Sequence, residues 1–338
     1  MYRSYCHSKW ILPVVLLTAL FISLVSCQTR TVTTVDNVDK TVVEKTVPHE
    51  ADWGIYQMDL TTSEVQLIYS TSNELYSSAL RLNSTGDKLV FAQKADGTTD
   101  NDCEIFSIAV DGSDLSRVTN NNFWDLYPVW SPDGSKIAFL SKRGGDLDIY
   151  VINSDGSNEK KLFDSGDNDA DIDWAGENIV FTSQFAIWKM RADGTEATMI
   201  TDLDGRSEWG SVNLPRGDYD PRLSDDGRHV VFERLEDINK PNGGYNLFTI
   251  NIDGTGETRL TDNSYAQGIA SWSHSGNQIV YVVAAIDGAG KYDIYMMNSD
   301  GTDNHDITPG YFPPEFLCHS PAFSIDDNKI FFIGQWWK

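Results

Sequence analysis

The sequence predicts an all-β protein, a six-bladed β-propeller with four antiparallel strands in each blade. Three observations predict it: a repeated phrase, a second series in step with it, and complementary half-blades at the two chain ends. The phrase is clearest at residues 128–139, and its copies lie 44 to 51 residues apart. A period of ~40–50 residues built from short strands is typical of propeller blades. The apolar anchor of the phrase falls at Leu82, Trp130, Trp174, Leu223, Trp272 and Phe323.

A second series of strands follows the first in every repeat. In five of the six repeats an Asp-Gly pair comes six residues after the opening residue of that strand. Asp-Gly between apolar runs favours a hairpin, because glycine accepts positive φ without steric cost. We therefore predict strands A to D in each blade: A carries the anchor, B follows the next turn, C opens the second series and D follows Asp-Gly. The opening residues of strand C are Ile55, Ile105, Ile149, Ile187, Leu247 and Ile294.

The two ends of the chain predict how the ring closes. Residues 55–69 supply strands C and D alone, whereas residues 321–334 supply strands A and B alone. Together they make one blade, so we predict that N- and C-terminal strands close the last blade. A ring closed in this way leaves no central strand edge exposed.

The first residues predict export. Arg3 and Lys9 precede an apolar run that ends just before Cys27, which is typical of a secretory signal peptide. The cysteine at that point resembles the bacterial lipobox, in which the thiol is lipidated. An uncleaved membrane anchor is the alternative, although the run is short for a hydrocarbon core of ~30 Å. By the enterobacterial sorting rule, Gln28 after the cysteine indicates the outer membrane, on its periplasmic side, if the source is Gram-negative.

The chain therefore divides into three predicted parts. Residues 1–26 are a lipoprotein signal peptide, residues 27–50 are the lipidated cysteine with a flexible tether, and residues 51–338 are the propeller. Within the tether, the Thr- and Val-rich residues 31–35 would also suit an extra edge strand.

Charge excludes some partners. The formal net charge is −24, and removing residues 1–26 with their two basic side chains makes it −26. Such a surface repels nucleic-acid phosphates and anionic lipid headgroups, so we expect no nucleic acid and contact with the membrane through the lipid only.

The repeat resembles a known family. The phrase Pro-x-Trp-Ser-Pro-Asp-Gly-x-Lys-Ile-Ala-Phe at residues 128–139, followed by Asp-Ile-Tyr and Asp-Gly, is similar to the TolB-type (WD40-like) propeller repeat. The resemblance covers residues 55–334 and implies a fold more than a function. TolB itself carries an α/β domain before its propeller, for which the tether leaves no room. The resemblance is therefore to the repeat and not to that whole protein.

The longer B–C and D–A loops of the repeat predict a binding face. Loops at one end of a rigid ring are the usual place for a binding site, and aromatic side chains are enriched there. The alternative is that these aromatics plug the mouth of the ring. The predicted binding face is Trp124, Asp125, Tyr127, Glu208, Trp209, Asp218, Tyr219, Asp220, Tyr311, Phe312 and Phe316.

Two further features of the sequence, an acidic run and a cysteine pair, give predictions. If Asp167, Asp169 and Asp171 lie on an extended strand, they share one face and could bind Ca²⁺, or they form a solvated acidic loop. Cys103 and Cys318 map to blades adjacent across the closure, so a disulfide is a candidate and two buried thiols are the alternative.

Catalytic motifs are scarce: neither Gly-x-Ser-x-Gly nor His-Glu-x-x-His occurs. We therefore predict a non-enzymatic scaffold that binds an envelope protein or a peptidoglycan or glycan component. The alternative is a glycan-binding or carbohydrate-active propeller, a lyase or hydrolase, with Ca²⁺.

Overall fold

The strands of the protein form six antiparallel sheets of four strands each, so the predicted fold class is confirmed. The structure is a computed structural model that describes residues 45–76, 80–95, 103–208, 215–237, 239, 244–262, 265–284 and 292–337. The described part of the chain contains no helix long and apolar enough to span a bilayer.

In chain order the strands are β1 (Trp53–Asp59), β2 (Val65–Thr71), β3 (Arg81–Leu82), β4 (Lys88–Lys94), β5 (Cys103–Ala109), β6 (Ser116–Arg117), β7 (Asp125–Trp130), β8 (Lys136–Ser141), β9 (Asp148–Asn153), β10 (Lys160–Phe163), β11 (Asp169–Ala175), β12 (Asn178–Ser183), β13 (Ala186–Arg191), β14 (Thr198–Met199), β15 (Gly217–Leu223), β16 (His229–Leu235), β17 (Tyr245–Asn251), β18 (Thr258–Arg259), β19 (Ala266–Trp272), β20 (Gln278–Ala284), β21 (Tyr292–Asn298), β22 (His305–Asp306), β23 (Phe316–Phe323) and β24 (Lys329–Trp336). Blade 1 is β3 to β6, and each following group of four forms the next blade up to β22.

Both chain ends build blade 6, as predicted. Its strand order is β2-β1-β24-β23, and β1 pairs with β24 along its whole length, from Trp53↔Gln335 to Asp59↔Lys329. Neighbouring innermost strands contact one another around the ring, and β23 contacts β3. The ring is therefore closed by main-chain pairing between the first and last strands.

One aromatic side chain per blade fills the space between sheets. It lies at the same position of strand B in every repeat and is buried in each. Burying a ring of this size is worth several kcal/mol, and truncation to alanine at such a site costs about 3–5 kcal/mol. The set is Phe91, Phe139, Phe181, Phe232, Tyr281 and Phe332.

The Asp-Gly turns also set the spacing between blades. Gly112 and Gly194 have φ of 87°, a left-handed conformation that favours glycine. A Cβ atom at Gly112 would lie 2.6 Å from the carbonyl oxygen of Ile68, and one at Gly194 would lie 2.5 Å from that of Leu162. Each of these oxygens belongs to strand D, or its end, in the preceding blade, so glycine is required for packing as well as for the turn.

A repeated threonine joins the end of strand D to the start of strand C. Its hydroxyl accepts the main-chain N–H of the residue fourteen positions earlier, at 2.8 to 2.9 Å. Blade 2 has Phe163 at the matching position. The four threonines are Thr119, Thr201, Thr261 and Thr308.

The innermost strands are bulged. In the five blades with a long strand A, a residue three positions before the anchor has a left-handed φ of 47 to 54°. The ladder slips by one residue there, so side chains no longer alternate between two faces. The bulged residues are Tyr127, Asp171, Asp220, Ile269 and Ser320.

The packed part of the chain begins before the predicted boundary at residue 51. Val47 is buried against blade 6, and the Tyr56 hydroxyl donates to the Pro48 carbonyl at 3.0 Å. The His49 ring stacks on Trp336 with centroids 4.0 Å apart. The predicted signal peptide and the lipidation site at Cys27 lie outside the described residues.

Candidate functional site

A cavity of about 300 Å³ lies at one end of the central channel. All six anchors of the repeated phrase line it, because each is the last inward residue of strand A. It opens among the A–B turns, where Ser84, Pro132, Asp225 and His274 line the walls. We call this space the channel cavity. It lies at the opposite end of the ring from the predicted binding face.

The floor of the channel cavity is charged. The residue just before each anchor lines it, and in three blades this residue is ionisable: Arg81, Asp173 and Arg222. Arg81 Nε lies 3.6 Å from Asp173 Oδ1, and Arg222 forms an ion pair with Asp220. Burial, together with the neighbouring Arg222, lowers the pKa of Arg81 to about 10. Two guanidinium groups, each with a carboxylate partner, therefore lie below the six anchors, four of which are aromatic.

Below the floor, buried acids link one blade to the next. Asp173 accepts the main-chain N–H of Leu223 at 2.8 Å, and Glu233 accepts that of Ile269 at 3.0 Å. Asp171 accepts the N–H of Asp220 at 3.3 Å. Each N–H belongs to strand A of the following blade. These carboxylates satisfy donors on strand A, at or beside its bulge, that the ladder leaves unpaired.

The same burial raises the pKa of two of these carboxyl groups. Desolvation, reinforced by Asp220, raises the pKa of Asp171 to about 6 and that of Glu233 well above its usual range. Burial disfavours the charged form of a carboxyl group, and a neighbouring carboxylate adds to the effect. Both carboxyl groups therefore keep their protons to a higher pH than an exposed carboxyl group would.

The rim of the channel cavity joins three blades. His274 Nδ1 contacts the Asp225 carboxylate, and this hydrogen bond raises the pKa of His274. The main-chain N–H groups of His274 and Ser275 both donate to Asp327, at 2.8 and 3.0 Å. The A–B turns of blades 4, 5 and 6 are thus bonded directly to one another.

Most of the predicted binding face is internal. Tyr127, Tyr219, Asp220, Phe312 and Phe316 are buried, as are Asp125 and Asp218, so these residues pack in the interior and do not form an exposed loop surface. The reason is that β7, β15 and β23 begin earlier than predicted, so most of these side chains belong to innermost strands and not to loops.

The remaining members of that face differ in exposure. Trp124 and Tyr311 are half-buried and Glu208 is exposed, whereas Trp209 lies outside the described residues. Lys142 Nζ lies 5.6 Å from the centre of the Trp124 ring. Tyr311 donates its hydroxyl to the Ser63 carbonyl at 2.8 Å, which fixes it on blade 6.

Two of the buried acids are held by arginines. Asp218 accepts from Arg234 Nε at 2.6 Å and from its Nη2 at 3.0 Å, in a bidentate pair. Asp125 accepts from Ser141 at 2.6 Å and from Arg143 at 3.2 Å. These pairs fix the start of strand A against the end of strand B.

The three predicted metal ligands do not converge. Asp167 accepts from Gln184 Nε2 at 3.1 Å, Asp169 lies against Ser165 and Ser183, and Asp171 belongs to the channel. The left-handed φ of 52° at Asp171 breaks the alternation on which that prediction rested. Within the described residues no group of three or more His, Cys, Asp or Glu side chains could hold a metal ion.

The candidate disulfide is absent from the structure. Cys103 and Cys318 are both buried thiols. Cys318 packs between blades 5 and 6, whereas Cys103 belongs to the apolar cluster around blade 2. A disulfide needs Cα atoms within ~7 Å, and the two side chains pack into different layers of the ring.

The sequence analysis did not predict the channel cavity, although it had identified the six anchors that line it. The six anchors define the repeat, and the same six residues form the wall. The signal was the residue before each anchor, which is apolar or small in three blades and charged at Arg81, Asp173 and Arg222. A charged side chain at an inward position of a buried strand is costly unless it is paired, so it indicates a polar site in the channel.

A family model described as the TolB beta propeller domain matches residues 48–218. An uncharacterized protein of Agrobacterium fabrum is 28% identical over 175 residues, which cover 49% of this chain and 57% of that protein. A TolB homolog of Chlorobium luteolum is 27% identical over 179 residues, 52% of this chain and 36% of that protein. The alignments thus span less than two thirds of either relative.

Solved structures show the same fold. A protein from Agrobacterium tumefaciens assigned as TolB aligns with a TM-score of 0.65 and 17% identity, covering 85% of this chain and 99% of that one. An oligogalacturonate lyase in complex with manganese aligns with a TM-score of 0.53 and 11% identity, covering 84% and 83%. At these identities the likeness concerns the fold alone.

Proposed function

Because the chain belongs to the TolB β-propeller domain family, we propose that it is a partner-binding protein of the bacterial cell envelope and not an enzyme. The observation that carries this proposal is the channel cavity, an aromatic-walled recess with a charged floor in an otherwise rigid ring. Concave sites with apolar walls and a few fixed polar groups are where proteins bind ligands.

The lining indicates what kind of partner segment would fit. Trp130, Trp174 and Trp272 offer apolar contact area, Asp225 at the rim is an exposed acid, and the ion-paired Arg222 lies on the floor. A peptide segment of a partner protein with one large apolar side chain and flanking polar groups would match this pattern. The rigid ring would not need to rearrange on binding, which favours affinity.

We also propose where the protein lies in the cell. The predicted signal peptide and lipidated Cys27 would place the propeller outside the cytoplasm, tethered to a membrane by lipid, on the periplasmic side of the outer membrane in a Gram-negative source. An envelope protein is then the expected partner.

The test is affinity capture with the full lipidated chain from its own envelope extract. Ser271 lines the channel cavity, so Ser271→Phe should fill it and abolish capture of specific partners. Ser116→Phe is the matched control, because Ser116 is exposed on the outer strand of blade 1. Equal capture by both variants would overturn the choice of site.

A sugar ligand is the competing candidate, since the tryptophans of the wall could stack on sugar rings. A glycan array with the same two variants separates it from the favoured proposal. Binding of a glycan that only Ser271→Phe abolishes, with no captured protein, would favour the sugar-binding alternative. Turnover of such a glycan would in addition contradict a non-enzymatic role.

A further inference from the structure

The outer strand of blade 6 differs from those of the other five blades. β2 is seven residues long, whereas β6, β14, β18 and β22 have two residues and β10 has four. β2 contains no charged residue, whereas four of those five strands contain at least one. Blade 6 therefore has an outer edge unlike that of any other blade.

That edge is open in the described structure. β2 pairs with β1 on its inner side with a register shift at Ile68, whose carbonyl packs on the Gly112 turn of blade 1. No other described backbone group hydrogen-bonds to β2. The described N-terminal segment makes two hydrogen bonds near the ends of this strand: the Ser70 hydroxyl donates to Glu50 at 3.2 Å, and Lys45 donates to the carbonyl of Thr62, before the strand, at 3.1 Å. Val47 also packs in the apolar cluster that includes Val65 and Leu67. Long uncharged edges are normally shortened, charged or covered, because they offer a template for another strand.

We propose that the outer edge of β2 is a docking surface, on which an extended segment of a partner protein adds as a fifth strand of blade 6. Main-chain hydrogen bonds would supply the affinity in such an arrangement, and flanking side chains the selectivity. This surface lies on the perimeter of the ring, so it is independent of the channel cavity and of the function proposed for it.

Charge around the edge indicates the chemistry of the segment. Glu64 directly precedes β2, Glu74 follows it, and both are exposed. Glu50 lies beside Ser70, and Lys45 bonds to the turn that precedes β2. An uncharged strand flanked by Lys or Arg would therefore complement the edge.

A second copy of this chain fits less well. Each copy has a formal net charge of −24, which opposes self-association. Antiparallel pairing of two β2 strands would also bring the acidic flanks of one copy towards those of the other, and like charges across a pair are unfavourable. A basic partner strand has neither penalty.

The probe is a synthetic peptide of alternating Thr and Val with two Lys at each end, added to the full chain at low salt. Amide hydrogen exchange, read by mass spectrometry, should show new protection confined to residues 65–71. A peptide with a central proline, or with Glu in place of Lys, should give none. Equal protection by the proline peptide, or protection spread over other blades, would overturn the proposal.

Charge variants sharpen the test. Glu64→Lys should weaken binding of the Lys-flanked peptide about threefold to tenfold at low salt. Asp204→Lys changes the net charge equally on an exposed loop of blade 3, and binding should be unchanged. An equal effect of both variants would mean that attraction is non-specific.

The free protein supplies the last check. Residues 65–71 of the monomeric full chain should exchange freely at alternate amides before any peptide is added. Protection in the monomer would mean that the chain's own preceding residues cover the edge, and protection in a dimer would mean that a second copy does. Either result would overturn a partner strand as the occupant.

Discussion

Blades 2 and 4 carry an arginine-paired acid near the start of strand A, whereas the acid at that position in blade 3 pairs with no basic side chain among the described residues. Asp125, Asp218 and Asp169 occupy the same position and are all buried. The first two accept from Arg143 and Arg234. No described basic side chain pairs with Asp169, and Ser183 stands where blade 4 has Arg234. One backbone position thus supports a fixed ion pair in two blades and a titratable group in the third.

This difference affects the pKa of Asp169. Desolvation, with a smaller effect from nearby Asp148, raises the pKa of Asp169 to about 7. A buried acid without a counter-ion keeps its proton more readily. Burial also raises the pKa of Asp125 and that of Asp218, but there the neighbouring arginines act against it.

The largest expected effect comes from breaking a pair that exists. Arg234→Met leaves Asp218 buried without its bidentate partner and also removes a 2.7 Å contact to Glu257. The free energy of unfolding should fall by about 3–5 kcal/mol, measured by urea denaturation. Arg191→Met, which removes an exposed ion pair to Glu196, is the control and should cause no measurable change. Similar losses in both variants would contradict the distinction.

The next effect comes from removing the unpaired acid. The pKa of Asp169 is higher in the folded chain than in the unfolded one. Its contribution to stability is therefore present at low pH and is lost as pH rises from about 4 to about 7. Asp169→Asn should remove that slope and stabilise the protein by about 1–3 kcal/mol at pH 8. Melting temperatures from pH 5 to 8 check it, with Asp164→Asn as the exposed control. An unchanged slope in Asp169→Asn would show that the acid is already paired.

A smaller effect is expected from giving blade 3 the partner it lacks. Ser183→Arg places a guanidinium opposite Asp169, at the position that Arg234 occupies in blade 4. The pKa of Asp169, followed by carbon-13 NMR of its carboxyl group, should fall below 5. Stability at pH 8 should rise by about 1 kcal/mol. A pKa that stays near 7 would mean that the local backbone prevents the pair.

An effect of similar size is expected at the threonine link between strands C and D, which blade 2 lacks. The Thr308 hydroxyl accepts the Ile294 N–H at 2.8 Å, and Thr308→Val would leave that donor unsatisfied. We expect a loss of about 1 kcal/mol in thermal or urea unfolding. Thr195→Val, at an exposed turn, serves as control. A neutral result at Thr308 would show that the donor finds water.

The fold followed from the sequence because its signals repeat. Six anchors and five Asp-Gly turns each report the same local structure, so errors at one repeat are corrected by the others. The Asp-Gly glycines are doubly constrained, by positive φ and by the carbonyl of the preceding blade, as at Gly112. The turns at these positions can therefore be predicted from the sequence alone.

The candidate site could not be predicted from the sequence, because the bulges of strand A decide which side chains line the channel. A bulge at Tyr127 or Asp220 has no sequence marker, yet it decides which side chains enter the channel. The acids before it, such as Asp218, looked like loop residues because they are charged, but Arg234 of strand B pairs with Asp218, and Arg143, just after strand B, pairs with Asp125. Only the three-dimensional partner distinguishes a solvated acid from an internal one.

The pairing of β1 with β24 has a consequence for biosynthesis. The hairpin of β1 and β2 cannot complete its sheet until β24, more than 250 residues later, has been made. Through that interval its uncharged β2 strand is exposed beside five maturing blades. We expect the nascent chain to depend on a holding chaperone until its final two strands arrive.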